Sequence, residues 1–454
     1  MSGATAVATV LCAVRGPSEA DVVTALDVPG LQVTRRCADV VELRAAAAAG
    51  AGQVGVVSAD LPAFDREVVG ELHGHGVRVV GLAPTGSWEE SRLRALGVDV
   101  VVDLAASADS LLEAVRAVVA RPPVAVAPEG PHGTPAPAPV GVEPARRVGR
   151  VVAVWGPTGA PGRTTVAVNL AAELAGPPSS PRRGSRRDRR PAEVELPAVA
   201  PTGPESGVLL VDADTYGGSV AQHLGMLDES PGLAAAARSA GHGALDATGL
   251  QALAPAVVPR LQVLTGLARA ARWPELPGPS LDVVWDVARS VADWTVLDCG
   301  FGIESDELLT YDTRAPQRNA ATLSALGAAD VVVVVGGADP VSLQRLVRAL
   351  DELDETGAAA GALRVVVVNR VRSGVVGPRP ERAVREALAR YAGVDDLQAV
   401  PEDRSLDLAL REGRVLAEVA PASPARRALA RLAAHVRSET SAPVVGTGHL
   451  QTAH

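Results

Sequence analysis

Short Val-rich runs alternate with helical patterns over the first 120 residues. Apolar runs of this length are typical of strands, and the longer segments between them have helical spacing. A regular alternation of strands and helices predicts a parallel sheet with helices on both faces, and therefore an α/β domain. The predicted strands are Ala6–Val14, Leu31–Thr34, Val54–Ser58, Val77–Ala83 and Val98–Val102, and the predicted helices are Ser18–Leu26, Asp39–Ala48, Asp65–His73, Ser87–Leu96 and Ser107–Val119.

A Gly-rich loop follows the next predicted strand, Val151–Trp155, and leads into the helical run VAVNLAAELA. Strand, Gly-rich turn and helix are the context of a phosphate-binding P-loop, in which backbone N–H groups wrap phosphate oxygens and the helix N-terminus adds positive potential. The strict P-loop pattern is not met, because Pro157 stands at the first Gly and Arg163 at the Lys. The loop alone therefore leaves open an ordinary Gly/Pro turn.

Three carboxylates stand at the ends of two further predicted strands. Gly207–Asp214 ends in Asp212 and Asp214, and Trp294–Gly300 contains Asp298. The carboxyl ends of parallel strands form the edge at which α/β sheets bind ligands. Carboxylates beside a phosphate order Mg²⁺ and its water shell. These residues therefore strengthen the nucleotide-site interpretation of the loop.

Two helices near the end of the chain have recognisable local signals. Asp339 followed by Pro340 predicts a helix start, with an N-cap and a first-turn proline. A small apolar face predicts a final helix packed on the sheet, although an amphipathic membrane-binding helix is the alternative. The residues of this face are Ala425, Ala428, Leu429, Leu432, Ala433 and Val436.

Low-complexity stretches divide the chain. A Pro/Ala-rich linker at 121–149 separates a domain at 1–120 from one at 150–437, an Arg-rich insertion at 176–206 is predicted to be disordered, and 438–454 is predicted to be a disordered tail. Between Arg182 and Arg190 the insertion holds six Arg and one Asp. Contact with DNA or anionic lipid and a solvated loop are the alternatives for this cluster.

The composition excludes several classes of function. All 43 basic side chains are Arg, which rules out a catalytic lysine or a Schiff base, and the net charge of -9 argues against a generally basic nucleic-acid binder. The cysteines Cys12, Cys37 and Cys299 have no metal-like spacing and are typical of reduced thiols in a cytoplasmic protein. Apolar runs are too short for an integral membrane segment. A cytoplasmic location is expected, with any membrane contact peripheral, at the inner face of the membrane or a cell pole.

The first domain resembles a response-regulator receiver, a flavodoxin-like fold, through its spacing and the phrase Ser58-Ala59-Asp60-Leu61-Pro62. Receivers phosphorylate an Asp where this chain has Ser58, and they bind Mg²⁺ through an acidic pair. Residues at the other receiver positions are Ala13, Val14, Arg15, Asp103 and Leu104. The resemblance therefore predicts a degenerate pseudo-receiver used for docking or dimerisation, with Asp60 as the only nearby substitute for the phosphorylated residue.

The second domain resembles the MinD/ParA family of deviant Walker A ATPases over about 148–437. The resemblance runs in order through the P-loop, VLLVDADTYGGSVAQHLG, VLDCGFGIESDE, AADVVVVVGGADPVSLQRL, RVVVVNRVRSG and VPEDRSLDLALREGRVLAEVAPASPARRALARLA. It implies a P-loop NTPase fold with a mostly parallel, doubly wound sheet. It also implies ATP and Mg²⁺ as cofactors, and a nucleotide-dependent homodimer.

The family motifs carry site roles onto this sequence residue by residue. Asp214 is expected to orient the attacking water. Thr164 is expected to face Mg²⁺, Asp212 to support the water shell of the metal, and Asp298 to act as the Walker B carboxylate. Family members place lysines where this chain has Thr158 and Arg163, so the resemblance implies slow or absent ATP turnover. Expected phosphate contacts are Gly159, Ala160, Pro161, Gly162, Arg163, Thr164 and Thr165, and expected adenine contacts are Asn369, Arg370, Pro401 and Asp403.

The combination of a pseudo-receiver with a MinD-like domain resembles the CpaE/TadZ proteins, which position Flp/Tad pilus or secretion machinery. It is also similar to actinobacterial septum-site-determining proteins. The expected function is a spatial or assembly regulator whose partners are pilus, secretion or division proteins. A non-hydrolysing pseudo-ATPase scaffold and a ParA-like DNA partition factor are the alternatives.

Overall fold

The computed structural model describes residues 7–120, 148–159, 162–176, 207–226, 231–304 and 316–441. The chain forms two compact units. The first unit contains 7–120 together with Ala234–Leu250 and Glu275–Val287, and the second contains the other described residues. Most of the predicted linker, insertion and tail, including the Arg182–Arg190 cluster, lies outside the described residues. The domain boundaries predicted from the sequence remain predictions.

Within residues 7–120, a parallel sheet of five strands has the order β2-β1-β3-β4-β5. This is the doubly wound order of flavodoxin-like folds. The predicted strands and helices of this region are all present, so its α/β class is confirmed, whereas the receiver interpretation remains a prediction. The strands are β1 (Ala8–Ala13), β2 (Leu31–Arg36), β3 (Val54–Ser58), β4 (Arg78–Ala83) and β5 (Val100–Asp103), and the helices are α1 (Ser18–Leu26), α2 (Val40–Ala48), α3 (Arg66–Gly74), α4 (Trp88–Leu96) and α5 (Ala108–Ala120).

Apolar side chains fill both faces of this first sheet. One layer packs α2, α3 and α4 against the sheet, and the other packs α1 and α5 against the opposite face. The strand β3 is buried along its whole length, which explains its continuous apolar sequence. The strand β5 begins two residues after the predicted Val98, because Gly97 ends α4 in a left-handed conformation and the N–H of Val98 still donates to the carbonyl of Leu93.

The second sheet contains eight of the described strands, in the order β13-β12-β11-β6-β10-β7-β9-β8. All neighbouring strands are parallel except the β8–β9 pair, which is antiparallel. The mostly parallel, doubly wound sheet expected from the sequence is confirmed. The strands are β6 (Arg150–Trp155), β7 (Gly207–Ala213), β8 (Ala256–Val258), β9 (Leu261–Leu264), β10 (Ala292–Cys299), β11 (Val331–Gly337), β12 (Leu363–Val371) and β13 (Gln398–Pro401).

The remaining helices connect these strands or follow them, and a 3-10 helix spans Ala270–Glu275. Local sequence patterns gave no prediction for the helices and strands between β7 and β10. The helices are α6 (Arg163–Ala175), α7 (Val220–His223), α8 (Gly232–Gly241), α9 (Ala247–Ala252), α10 (Gly278–Val291), α11 (Ala320–Ala328), α12 (Pro340–Thr356), α13 (Ser373–Val376), α14 (Pro380–Ala392), α15 (Arg404–Glu412), α16 (Leu416–Val419) and α17 (Pro424–Ser441).

The final helix, α17, packs on the second unit as predicted. All residues of its apolar face are buried in the same core as α6. The guanidinium of Arg426 binds both carboxylate oxygens of Glu173 on α6, at 2.7 and 2.9 Å, and Arg437 donates to carbonyls in the last turn of α6. A bidentate pair of this kind fixes orientation as well as adding energy. The packed interpretation is therefore confirmed.

Candidate functional site

The Gly-rich loop lies at the middle of the second sheet. It joins β6, which pairs with β10 on one side and β11 on the other, to the buried helix α6. Gly159 and Gly162 have φ angles of +70° and +89°, a left-handed conformation that favours glycine. Thr164 and Thr165 stand in the first turn of α6, where backbone N–H groups have no partner within the helix. The predicted phosphate contacts Ala160 and Pro161 lie outside the described residues.

Two side chains from other elements approach the loop glycines. A Cβ atom added to Gly162 would lie 2.3 Å from Nδ2 of Asn369, and one added to Gly159 would lie 2.2 Å from Nη1 of Arg345. A side chain at either position would displace the end of the approaching side chain, and the positive φ angles independently favour glycine there. The fold therefore brings Asn369, near the end of β12, to the loop, while its predicted contact with adenine remains a prediction. It also brings Arg345, which no local sequence pattern indicates.

Arg163 folds back along the loop. Its Nη1 donates to the carbonyl of Gly156 at 2.9 Å, and its Nη2 lies 3.5 Å from Oδ2 of Asp214. Both side chains are largely buried, with 15% and 10% of their surface exposed. The cation that replaces the P-loop lysine is thus paired with the carboxylate that was predicted to orient water.

Asp214 is fixed by its own turn. Its Oδ1 accepts hydrogen bonds from the N–H groups of Tyr216 at 2.8 Å and Gly217 at 3.3 Å. With Oδ2 facing Arg163, each oxygen has a protein partner. The side chain is held at the carboxyl end of β7, and its catalytic role remains a prediction.

Asp212 is enclosed more completely. Its oxygens accept from the N–H of Asp214 at 3.2 Å and of Val220 at 3.1 Å. A Cβ on Gly218 would lie 2.6 Å from Oδ1, and a Cβ on Gly266 would lie 2.7 Å from Cγ. Burial raises the pKa of Asp212 to about 7. The structure shows that this side chain holds the turn after β7, and its proposed support of the metal's water shell remains a prediction.

Asp298 differs from both. It is buried at the end of β10, and among the described residues neither carboxylate oxygen has a hydrogen-bond partner of normal geometry. Burial and the neighbouring carboxylates raise its pKa well above the usual range, and this outweighs the lowering effects of Thr164 and Arg163. Burying an unpartnered carboxylate costs free energy, so the arrangement favours a bound cation.

The residues at this edge fit Mg²⁺ bound together with a phosphate. Mg²⁺ binds hard oxygen ligands and normally keeps several waters or phosphate oxygens in its shell. Within the described residues there is no group of three or more His, Cys, Asp or Glu side chains that would hold a metal unaided. Asp298 and the neighbouring hydroxyl of Thr164 are the residues that would hold the ion, and the phosphate would complete its coordination.

The predicted adenine contacts are only partly brought to the loop. Asn369 reaches Gly162, and its Oδ1 accepts from the N–H of Arg370, whose φ of +56° is unusual for a non-glycine residue. Asp403 instead caps α15 through the N–H of Ser405 and also accepts from the N–H of Ala425. Pro401 pairs with Val371 at the edge of the sheet. Adenine binding by these residues remains a prediction.

An aromatic cluster beside Asp214 was also missed from the sequence. The rings of Tyr216 and Phe301 have centroids 4.4 Å apart, and the indole Nε1 of Trp155 donates to the carbonyl of Phe301 at 3.1 Å. The guanidinium of Arg318 lies 4.3 Å from the centroid of Tyr216, within range of a cation–π interaction. Single aromatic residues in separate motifs gave no signal for this contact. The cluster joins the loops after β7 and β10.

At the carboxyl edge of the first sheet, the polar side chains make hydrogen bonds to neighbouring residues of the same edge. The hydroxyl of Ser58 donates to Oδ1 of Asp60 at 2.6 Å and accepts from the N–H of Arg15 at 3.0 Å. The hydroxyl of Thr85 donates to Asp103, which lowers the pKa of that carboxyl. No carboxylate here is both buried and unpartnered within the described residues.

Comparisons with known proteins give limited similarity. No family model matches the chain. The chain is 32% identical to the bovine (Bos taurus) cytosolic Fe-S cluster assembly factor NUBP2 over 166 residues, which cover 35% of this chain and 56% of that protein. The matched region thus spans little more than half of the relative.

Two solved structures are similar to the larger part of the chain. The ParA family ATPase from Chlorobium tepidum TLS is 18% identical with a TM-score of 0.48, covering 64% of this chain and 99% of that one. The septum site-determining protein MinD from Pyrococcus horikoshii OT3, complexed with Mg-ADP, is 18% identical with a TM-score of 0.46, covering 64% and 97%. Similarity at this level does not establish a function, so a function must be inferred from the chain's own residues.

Proposed function

We propose that this chain is a MinD/ParA-type, nucleotide-dependent spatial or assembly regulator that binds ATP with Mg²⁺ at the carboxyl edge of the second sheet. The observation that carries the proposal is Asp298, a buried carboxylate that has no hydrogen-bond partner of normal geometry among the described residues and lies beside the Gly-rich loop at the start of α6. A stable fold retains such a group where a ligand completes it. The order of the family-like motifs along the chain supports the same assignment.

The chain's residues divide the work of binding. Backbone N–H groups at Gly162, Thr164 and Thr165 would hold phosphate oxygens, because the first turn of α6 leaves them without intrahelical partners. Arg163 adds a positive charge at the same end of the helix. Mg²⁺, when bound beside Asp298, would neutralise phosphate charge. Binding of the triphosphate would then favour a homodimer, whose partners depend on the nucleotide state.

Turnover is proposed to be slow or absent, which keeps the pseudo-ATPase scaffold as a second candidate. The observation in its favour is the pair between Arg163 and Asp214, since the guanidinium occupies an oxygen of the carboxylate that would orient the attacking water. Steady release of phosphate that is lost in the Asp214→Asn variant would contradict the scaffold. Release at the rate of a protein-free control would support it.

The cellular output is proposed to be the placement of a pilus or secretion complex, or of the division septum. This step rests on the combination of a pseudo-receiver-like sheet with a MinD-like sheet. A fluorescent fusion should gather at a pole or septum in the wild type and become diffuse in the Arg163→Ala variant. Localisation on the nucleoid in both would favour the DNA-partition alternative.

Calorimetry on the full chain tests the binding proposal. We expect ATP to bind in the presence of Mg²⁺, and light scattering of the same sample to show a doubling of mass. The Arg163→Ala variant should bind more weakly, whereas Arg15→Ala, at the edge of the first sheet, should bind like the wild type. Absence of Mg²⁺-dependent ATP binding by the wild type would contradict the proposal.

A further inference from the structure

A second arginine contacts the Gly-rich loop from outside it. Nη1 of Arg345, on α12, lies 3.4 Å from the carbonyl oxygen of Thr158, and a Cβ added to Gly159 would lie 2.2 Å from the same atom. Arg345 is exposed and is separated from Thr158 by 187 positions in the sequence. The contact therefore depends on the fold.

Capping and packing contacts hold the helix α12 in place. Asp339 caps its first turn by accepting from the N–H groups of Val341 and Ser342 at 3.1 and 3.0 Å. Leu346, the neighbour of Arg345, is buried so tightly on β11 that a Cβ on Gly336 would lie 2.6 Å from its Cδ2. Because β11 is paired with β6, the start of α12 is held beside the loop that follows β6.

The two arginines at the loop differ in burial and in their hydrogen-bond partners. Arg163 is largely buried and is paired with Asp214 and the carbonyl of Gly156. Among the described residues, the guanidinium of Arg345 makes one long hydrogen bond, to a neutral carbonyl, and the residue is exposed. Such a bond is weak, so the guanidinium can exchange the carbonyl for a stronger anionic acceptor at small cost.

We propose that Arg345 is a specificity-determining residue that binds the terminal phosphate of a nucleoside triphosphate held by the same loop. This inference rests on the proposed function, because it requires that the loop bind a nucleotide. Arg345 would supply a positive charge at the corner of the loop where Thr158 is uncharged. Its planar fork suits the oxygens of a phosphate. The loop would then distinguish a triphosphate from a diphosphate without a lysine.

The test compares two ligands on the full chain by calorimetry, with Mg²⁺ present. The ligands are ADP and a non-hydrolysable ATP analogue, so that the readout is binding and not turnover. The variants are Arg345→Ala, Arg345→Lys and the matched control Arg348→Ala, which removes an exposed arginine three positions later on the same helix.

We expect Arg345→Ala to weaken binding of the ATP analogue by about tenfold or more and to leave ADP within about twofold, since a hydrogen bond to a charged group contributes on this scale. Arg345→Lys should be intermediate, and Arg348→Ala should match the wild type. Adding Thr158→Lys to Arg345→Ala should restore part of the preference, because it returns a cation to the same corner.

Equal weakening of both ligands in Arg345→Ala would show that the contact only shapes the loop, and would overturn the inference. Unchanged binding of both would also overturn it. Neither result would touch the proposed function, which requires only that the wild type bind ATP. A wild type that binds neither nucleotide would overturn both.

Discussion

Polar residues follow the strand ends at the carboxyl edges of both sheets, but the two edges differ in whether these residues have hydrogen-bond partners. At the edge of the first sheet, Ser58, Asp60 and Arg15 satisfy one another, and Thr85 satisfies Asp103. At the edge of the second sheet, Asp298 is buried and both its oxygens lack a partner among the described residues. Both edges are where parallel sheets bind ligands. Polar residues at this edge therefore indicate a binding site when a buried carboxyl group among them lacks a hydrogen-bond partner.

The difference extends to the loops. The loop after β6 contains glycines with positive φ that admit Asn369 and Arg345 to close contact. At the corresponding place after β1, the chain continues through Val14, which is buried, into Arg15. A phosphate needs a concave run of backbone N–H groups, and the second edge has the sequence for it while the first does not.

The largest effect should come from removing the charge at the second edge. Arg163→Ala should weaken ATP binding by about 10- to 100-fold, because a charge-assisted hydrogen bond is worth roughly 1.5–3 kcal/mol. Arg15→Ala should leave ATP binding unchanged. Fluorescence titration with a labelled ATP measures both. Equal affinities in the two variants would remove the functional contrast between the edges.

A loss of stability is expected when the carboxylate of Asp99, within the first unit, is removed. Asp99 accepts from Arg78 at 3.0 Å and from the N–H of Val79 at 2.8 Å, with His73 at 2.8 Å. Burial opposes its charge, but these hydrogen bonds lower its pKa to about 2. Asp99→Asn should therefore cost about 1–3 kcal/mol of local stability at neutral pH.

The sign of the pH dependence follows from the lowered pKa. The folded-state pKa of Asp99 lies below the unfolded value of about 4, so its contribution is complete above pH 4 and is lost as the pH falls toward 2. Hydrogen exchange of the β4 amides, compared between wild type and Asp99→Asn, should show a difference that narrows over this range. A difference that is constant down to pH 2 would contradict this assignment.

A gain in stability is expected at the second edge. Asp298→Asn should raise the free energy of unfolding of the nucleotide-free chain by about 1 kcal/mol at pH 8, because a neutral amide costs less to bury than a carboxylate. Burial raises the pKa of Asp298, so the gain should shrink as the pH falls toward about 4, where the acid is protonated in both states. Urea unfolding measures it, and a loss of stability at pH 8 would mean that Asp298 already has a partner.

The smallest effect is expected at the first edge. Ser58 and Asp60 offer no Mg²⁺ site, so incubation with a small phosphodonor and Mg²⁺ should add no phosphate, as read by intact mass. Ser58→Ala removes the hydrogen bond to the exposed carboxylate of Asp60 and the one from the N–H of Arg15, and it should cost about 1 kcal/mol. Incorporation of phosphate that disappears in Asp60→Asn would show that the first edge is a working receiver site.

The sequence predicted the parts of the fold that depend on local patterns. The predicted strand Val54–Ser58 is buried along its whole length, and its mostly apolar sequence is typical of a central strand. Asp339 and Pro340 begin α12 through local capping, as predicted. Asp212, Asp214 and Asp298 were found because parallel strands carry their end residues to one edge.

Long-range contacts could not be predicted in the same way. The approach of Arg345 to Thr158 depends on the pairing of β11 with β6, which no local pattern specifies. The pairing of Arg163 with Asp214 joins side chains that are 51 positions apart in the sequence, so no local pattern specifies it. The assignment of Ala234–Leu250 and Glu275–Val287 to the first compact unit reflects contacts between distant segments.

The central claim is that the unpartnered carboxylate of Asp298 holds Mg²⁺ for a bound nucleotide. Calorimetric titration of the full chain with ATP, with and without Mg²⁺, tests it in the wild type, Asp298→Asn and the control Asp60→Asn. The account predicts that Mg²⁺ strengthens ATP binding by the wild type and by Asp60→Asn and has no effect in Asp298→Asn. An equal Mg²⁺ effect in all three proteins would contradict it.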